Sequence, residues 1–422
     1  MSKCIKHVNK STEEQRLGND YNFEGITMTK IYIIFIALQG AFAQLPGAVN
    51  YIVYYSGFLL ILALIALFLN FHKVNLYREN VYILFFVLIV AYGIIQSPDL
   101  FVGFRQGLRF LSPFIPFLIF TVIIRQREMF LYYLKVNIYA LSISVILLNG
   151  FIILFIPQAG VSEIHRGMER SSATFAGWHT FGHFCLVTIF LLSLYLLYVN
   201  NKKEKYFFYM VYVLGCYLAF KSACRTVYLG LFVFVLIWCL LKKKFLWLLM
   251  MMIGVFCLYL YHGNFHALFS EEIGSQQVKI EDLGSGRLGI WMRALKSFAS
   301  QSLEEKFLGA GPQQIYLEGK KVFGDAHNDY LSILFQYGFI GLVLFLAFYT
   351  ELFIKAVRLF NTNIGILYIA MLTSIAVMNA VSNSYILRVS VSMIFWPVLL
   401  PLLNKDLLSQ LIGDITDDKN ET

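Results

Sequence analysis

His327 is the residue whose type and place could most readily do chemistry, and several arginines, Arg225 and Arg287 among them, stand in or near the polar stretches of an otherwise apolar chain. His327 lies in the run Gly324-Asp325-Ala326-His327-Asn328-Asp329, which closes a hydrophilic stretch from about Tyr261 to Asp329. An imidazole, with an ordinary pKa of about 6.5, can take up a proton at neutral pH, so a histidine here suits a general base. Asp325 is the alternative base, and Asn328 or Asp325 could fix the imidazole tautomer. A loop histidine that is merely solvated reads the same way from its residue type alone. Arginine is a permanent cation whose planar fork pairs with anionic oxygens, and the question is why arginines stand where these do.

The elements that must position these side chains are membrane spans. The 422-residue chain is 59% hydrophobic, 17% aromatic and only 14% charged, with a mean hydropathy of +0.67. A soluble domain cannot hide that much apolar surface, and a hydrocarbon core about 30 Å thick calls for apolar runs of about 20 residues. Such runs recur near 30–47, 51–70, 80–97, 107–124, 132–156, 181–199, 206–220, 222–241, 244–262, 331–354, 362–382 and 386–403. The expected fold is all-α, a polytopic transmembrane helix bundle of about 12 spans with one large, partly helical outer loop. Its parts are a tail over 1–29, a bundle over 30–262 with an outer loop at 157–180, a large outer loop over 263–330, three spans over 331–403, and a tail over 404–422.

Short cytoplasmic loops are enriched in lysine and arginine. With the N-terminus inside, the cytoplasmic connections carry Lys73 and Arg78, Arg125 and Arg127, Lys202, Lys203 and Lys205, Lys242 to Lys244, and Lys355 with Arg358. Both termini then fall in the cytoplasm. The outer side nevertheless carries Arg105, Arg109, Arg166, Arg170, Lys221, Arg225, Arg287, Arg293 and Arg388. Arginine placed against the rule points to an anionic ligand there. The net charge of +9 is accounted for by orientation and anionic membrane lipid, and nucleic acid is not an expected partner. The six cysteines, Cys4, Cys185, Cys216, Cys224, Cys239 and Cys257, form no CxxC and no disulfide framework. Residues 1–27 lack the apolar core of a signal peptide and read as a disordered tail or a start site placed too early.

The large loop is too long for a mere connection. Leu288, Trp291, Leu295 and Phe298 recur at helical spacing within it, and Arg287 would head that helix. A cation at the positive end of a helix dipole is explained by an anion bound there or by solvation at the interface. Gly309-Ala-Gly311-Pro312 marks a tight turn that lets the chain fold back; lacking a following Lys-Ser/Thr, it is not an ATP-binding loop. His179 and His183 have the i, i+4 spacing of a zinc pair, but with no third ligand beside them they read as packed side chains.

Taken together, Ser222-Ala-Cys-Arg225-Thr, Gly286-Arg287-Leu-Gly-Ile-Trp291, Gly309-Ala-Gly311-Pro, and His327-Asn328-Asp-Tyr-Leu331 followed by Gln336-Tyr-Gly338-Phe-Ile-Gly341 resemble the O-antigen ligase and polymerase superfamily. The likeness covers roughly residues 215–345. It implies a metal-independent glycosyltransferase of the bacterial cytoplasmic membrane that needs no cofactor. The active site would face the periplasm or outside, and the donor would be an undecaprenyl-diphosphate-linked glycan. It also implies a chain-length regulator protein as a partner. Arg225, Arg287 and His327 take the catalytic positions. Arg225, with Lys221 one turn earlier, is the first choice for the diphosphate, because positive donors aimed at a developing anion are usually the largest catalytic contribution.

Arg166 and Arg170, four apart and able to share a face if the segment is helical, are further contacts to glycan or phosphate. Arg293, Arg109 with Arg105, Asp325 and Asn328 join them. The expected activity is polymerisation of lipid-linked repeat units for O-antigen or capsule. The alternative is ligation of the glycan to lipid A-core in lipopolysaccharide synthesis. A flippase or transporter of lipid-linked sugars fits less well, since carriers place ionisable groups at mid-membrane depth and these charges cluster at outer helix ends.

Overall fold

A computed structural model describes residues 26–45, 48–69, 78–97, 99–124, 126–156, 161–165, 168–175, 177–247, 249, 287–312, 314–317, 320–323, 326–382 and 388–417. The protein is a helical integral membrane protein. By length and apolar composition, four of the described helices can cross a membrane, or up to six if each of two bent pairs is one span. In chain order the first helices are α1 (Ile26–Phe42), α2 (Ala48–Leu69), α3 (Arg78–Ile95), α4 (Leu100–Leu111), α5 (Phe114–Ile123), α6 (Arg127–Phe155) and α7 (Trp178–Tyr195). Then come α8 (Lys202–Lys221), α9 (Arg225–Leu241), α10 (Arg287–Ser300), α11 (Leu303–Leu308), α12 (Asp329–Arg358) and α13 (Asn363–Val381). The last are α14 (Val389–Phe395), continued by a 3₁₀ turn to Leu402, and α15 (Lys405–Asp417).

A described helix lies on each predicted span except 244–262, most of which falls outside the described residues. The span expected over 107–124 is a bent pair, α4 and α5 meeting at 49°. Asp99 caps α4 through the Val102 N–H (3.0 Å), so that helix begins earlier than its apolar run does.

Two short hairpins accompany the helices: β1 (Val161–His165) with β2 (Met168–Ser171), and β3 (Gln314–Leu317) with β4 (Lys320–Phe323). The first corrects the expectation that Arg166 and Arg170 share a helical face. Arg170 sits in β2 opposite Glu163, and Arg166 lies outside the described residues. The chain beyond this hairpin is pinned by Thr174, whose N–H and hydroxyl donate to Asn149 Oδ1 at 3.1 and 2.7 Å. Asn149, fully buried, donates in turn to the Ser144 carbonyl (2.9 Å) inside a π-helical turn of α6, Ser142–Leu147.

Burial separates core from periphery. Helices α7 and α13 are apolar on all sides and buried along most of their length, whereas Phe68 on α2, Leu88 on α3 and Met210 on α8 are exposed, as lipid-facing residues would be. Helix α9 packs along α13, and its direction is fixed by named contacts. Lys242, just past the end of α9, donates to Asn363 Oδ1 at the start of α13. Near the other end, Ser374 Oγ donates to the Gly230 carbonyl (2.7 Å). The two helices are therefore antiparallel. Followed to the beginning of α9, this register places Arg225 level with the last turn of α13.

The glycine turn has a definite seat. Helix α12 is broken at Gly338, which takes a positive φ of 68°. The carbonyls of Phe335 and Gln336 accept from the Ala310 N–H (2.9 Å) and Gly311 N–H (3.1 Å) of the incoming loop. Any side chain at Gly309 (φ 91°) would drive its Cβ into the Gln336 carbonyl, and one at Gly338 would strike the Phe307 carbonyl. Gly93 on α3 lines the same seat, leaving only 3.3 Å from a built Cβ to Gly311 Cα and to Pro312 Cδ. The turn thus does more than reverse the chain: it fills the gap in α12.

Candidate functional site

Two of the predicted residues, Arg287 and Asn328, meet on the last turn of α13. A helix ends with carbonyls that have no partner within it and a partial negative charge, so donors and cations are favoured there. Asn328 Nδ2 donates to the Ala380 carbonyl (2.6 Å), and Arg287 Nη1 donates to the neighbouring Val381 carbonyl. One turn earlier, Tyr330 OH donates to the Ala376 carbonyl (3.1 Å). The first turn of α12, which follows His327, and the first residue of α10 are thus fixed to one helix end. The register of α9 brings Arg225 to the same level.

Arg287 therefore has a partner that its position at the head of α10 did not reveal. It caps α13, and this bond uses one of the guanidinium's five N–H donors. Its partial burial lowers its pKa through desolvation, an effect that the nearby Cys224 opposes. Helix α10 is held a second time by Trp291, whose indole Nε1–H donates to the Ala326 carbonyl (3.0 Å), one residue before His327. The face carrying Gly289, Ala294 and Ser297 is buried, while Arg293 is exposed.

His327 is exposed and takes a left-handed backbone conformation, φ 47°. Asn328 behind it is buried and engaged at both ends of its amide: Oδ1 accepts from the Leu331 N–H (3.0 Å) as the N-cap of α12, and Nδ2 reaches Ala380. Asn328 consequently holds the backbone beneath His327. Asp325 lies outside the described residues.

Arg225, half-buried, opens α9 at a corner packed against α7. The corner runs through Ala223, also left-handed at φ 50°, and the fully buried Cys224. The first turns of α7 press on it: His179 Nδ1 lies 3.2 Å from Cys224 Sγ, and a Cβ built on Gly182 falls 2.6 Å from Ser222 Oγ. His183 Nδ1 donates to the His179 carbonyl (2.7 Å), so this histidine pair is packed into the fold. Lys221, one turn before Arg225, stands over the Tyr217 ring at 6.0 Å. Arg105 and Arg109 are exposed on α4, which packs on α2 and α3.

One residue missing from the predicted site is Arg388, whose Nη1 donates to Thr180 Oγ1 (3.1 Å) on the first turn of α7. Its sequence signal was its place among the arginines on the outer side.

These features define a helical membrane protein with a cationic site at one end of its bundle. Residues 207–346, a stretch that carries Arg225, Arg287 and His327, match a family model described as O-antigen ligase, which supports the O-antigen ligase and polymerase superfamily. No curated protein matches the chain.

Proposed function

We propose that the protein is a membrane glycosyltransferase that polymerises undecaprenyl-diphosphate-linked oligosaccharide repeat units for O-antigen or capsule. The observation that carries this reading is the common anchorage of Arg287 and the His327 turn on the last turn of α13, with Arg225 level with them. Arg225 and Arg287 neutralise the diphosphate as the bond from the anomeric carbon to its phosphate oxygen breaks. The acceptor hydroxyl forms the new bond to that carbon, and its proton passes to His327 or, if His327 only orients the acceptor, to water. Asn328 positions His327, and Lys221, Arg170, Arg166, Arg293, Arg109 and Asp325 contribute contacts to glycan or phosphate. In this reading the chain has about 12 spans with both ends in the cytoplasm, and the site faces the outside of the cytoplasmic membrane.

The matching family equally accommodates a second reading, ligation of the glycan to a lipid A-core sugar. The two readings share the donor chemistry and differ in the acceptor. In a deletion strain of an organism with lipopolysaccharide, loss of a polymerase leaves lipid A-core bearing a single repeat unit. Loss of a ligase leaves the core bare and accumulates lipid-linked polymer. A gel showing full-length glycan on the core in the deletion strain rejects both. Activity that a chelator removes and a divalent ion restores would reject the metal-independent chemistry.

A further inference from the structure

Arg388 precedes α14 and is separated from Arg225 by most of the second half of the chain, yet contacts on α7 bring the two regions together. Arg388 Nη1 donates to Thr180 Oγ1 at 3.1 Å. The residue before Thr180 is His179, whose Nδ1 is 3.2 Å from Cys224 Sγ, and Cys224 directly precedes Arg225. The close approach of Gly182 to Ser222 seats the start of α7 on this corner, so the juxtaposition does not rest on one side chain. Arg388 and Arg287 both lie within electrostatic reach of Cys224. Guanidinium groups from three distant parts of the chain thus gather around the head of α9.

Guanidinium groups brought to one place can together attract a multivalent anion. A diphosphate carries two phosphoryl groups, each able to accept a bidentate arginine. Arg287 has already committed one donor to Val381, so a further guanidinium is useful. Building on the diphosphate chemistry proposed above, we infer that Arg388 is a third phosphate-binding arginine, held by Thr180 so that it and Arg225 address the two phosphoryl groups of the carrier.

The test uses the full-length protein in phosphatidylcholine nanodiscs, with inorganic pyrophosphate as the probe and its Kd measured by calorimetry. Arg388→Gln is expected to weaken pyrophosphate about tenfold, Arg388→Lys by less, because lysine keeps the charge and loses the fork, and Thr180→Val by a few-fold. If Arg225→Gln and Arg287→Gln weaken pyrophosphate while all three variants at 388 and 180 leave it unchanged, Arg388 lies outside the site and the wider reading stands. If no arginine variant moves the Kd, the diphosphate site itself is refuted. Should Arg388→Gln fail to give a monodisperse protein, Arg388→Lys and Thr180→Val decide alone. A second series with phosphatidylglycerol in the nanodisc separates the sources of phosphate. Unchanged pyrophosphate affinity supports a diphosphate site, whereas competition that disappears in Arg388→Lys would assign Arg388 to a lipid headgroup and overturn the proposal.

Discussion

The corner that carries Arg225 and the turn that carries His327 are built alike and embedded differently. Each leads into a long helix through a left-handed non-glycine residue, Ala223 at φ 50° and His327 itself at φ 47°. At the first, the left-handed residue and the following Cys224 are buried beneath α7, and the proposed diphosphate ligand Arg225 stands at the head of the helix. At the second, the left-handed residue is itself the proposed base, exposed, and its neighbours Ala326 and Asn328 are tied down by Trp291 and Ala380. In the proposed function, one corner would hold a fixed charge against a fixed part of the substrate. The other would present an exposed side chain, on a fixed backbone, to the acceptor.

The comparison can be broken most forcefully at His327. His327→Ala is expected to lower kcat by about 10²–10⁴-fold if the imidazole takes the proton, measured with lipid-linked substrate in purified membranes. A change confined to KM for the acceptor would make it an orienting group. Arg225→Gln is expected to cost about 10²–10³-fold in kcat with little change in acceptor KM. An equal loss in acceptor KM would erase the division of labour between the corners.

Labelling sharpens the contrast in exposure. A cysteine at 327 should react rapidly with an impermeant maleimide added from outside, and a cysteine at 225 several-fold more slowly; reaction at 327 only from the cytoplasm would invert the topology. Trp291→Phe removes the bond to the Ala326 carbonyl and should cost about 0.5–1.5 kcal/mol of stability in a thermal melt, with a higher acceptor KM. Unaltered stability and KM would mean that α10 does not support the turn. The smallest effect is expected from Ala223→Gly, which relieves the left-handed strain. It should raise stability by up to about 1 kcal/mol while leaving activity near normal, whereas His327→Gly, relieved in the same way, should show the same loss of function as His327→Ala.

Much of this is legible in the sequence. Apolar length located the helices because in lipid each backbone polar group must be satisfied within its own segment, which ties hydropathy closely to structure. It misplaced the start of the fourth predicted span because Arg105 and Gln106 interrupt the apolar run of a helix that bends at its end. Charge bias expected Arg225, Arg287 and His327 on one side, and the elements that carry Arg287 and His327 are fixed to one helix end. What the sequence could not disclose was partnership at a distance. Nothing in Gly286-Arg287-Leu names Val381 as an acceptor, since a carbonyl at a helix end has the same chemistry whatever its residue. The strands of β1 and β2 are too short for an alternating pattern to stand out. The glycines at 309, 311 and 338 were visible as turn residues, but their mutual fit depends on backbone geometry that residue types do not encode.

That fit bears on how the protein is made. The loop from Arg287 to Pro312 leaves the ribosome before α12 does, and α12 without it would present the Phe335 and Gln336 carbonyls at its break with no loop amides to meet them. Lipid offers no donors to take their place. Stable insertion of α12 is therefore expected to wait until this loop reaches the break, so that the loop and the later spans are completed together.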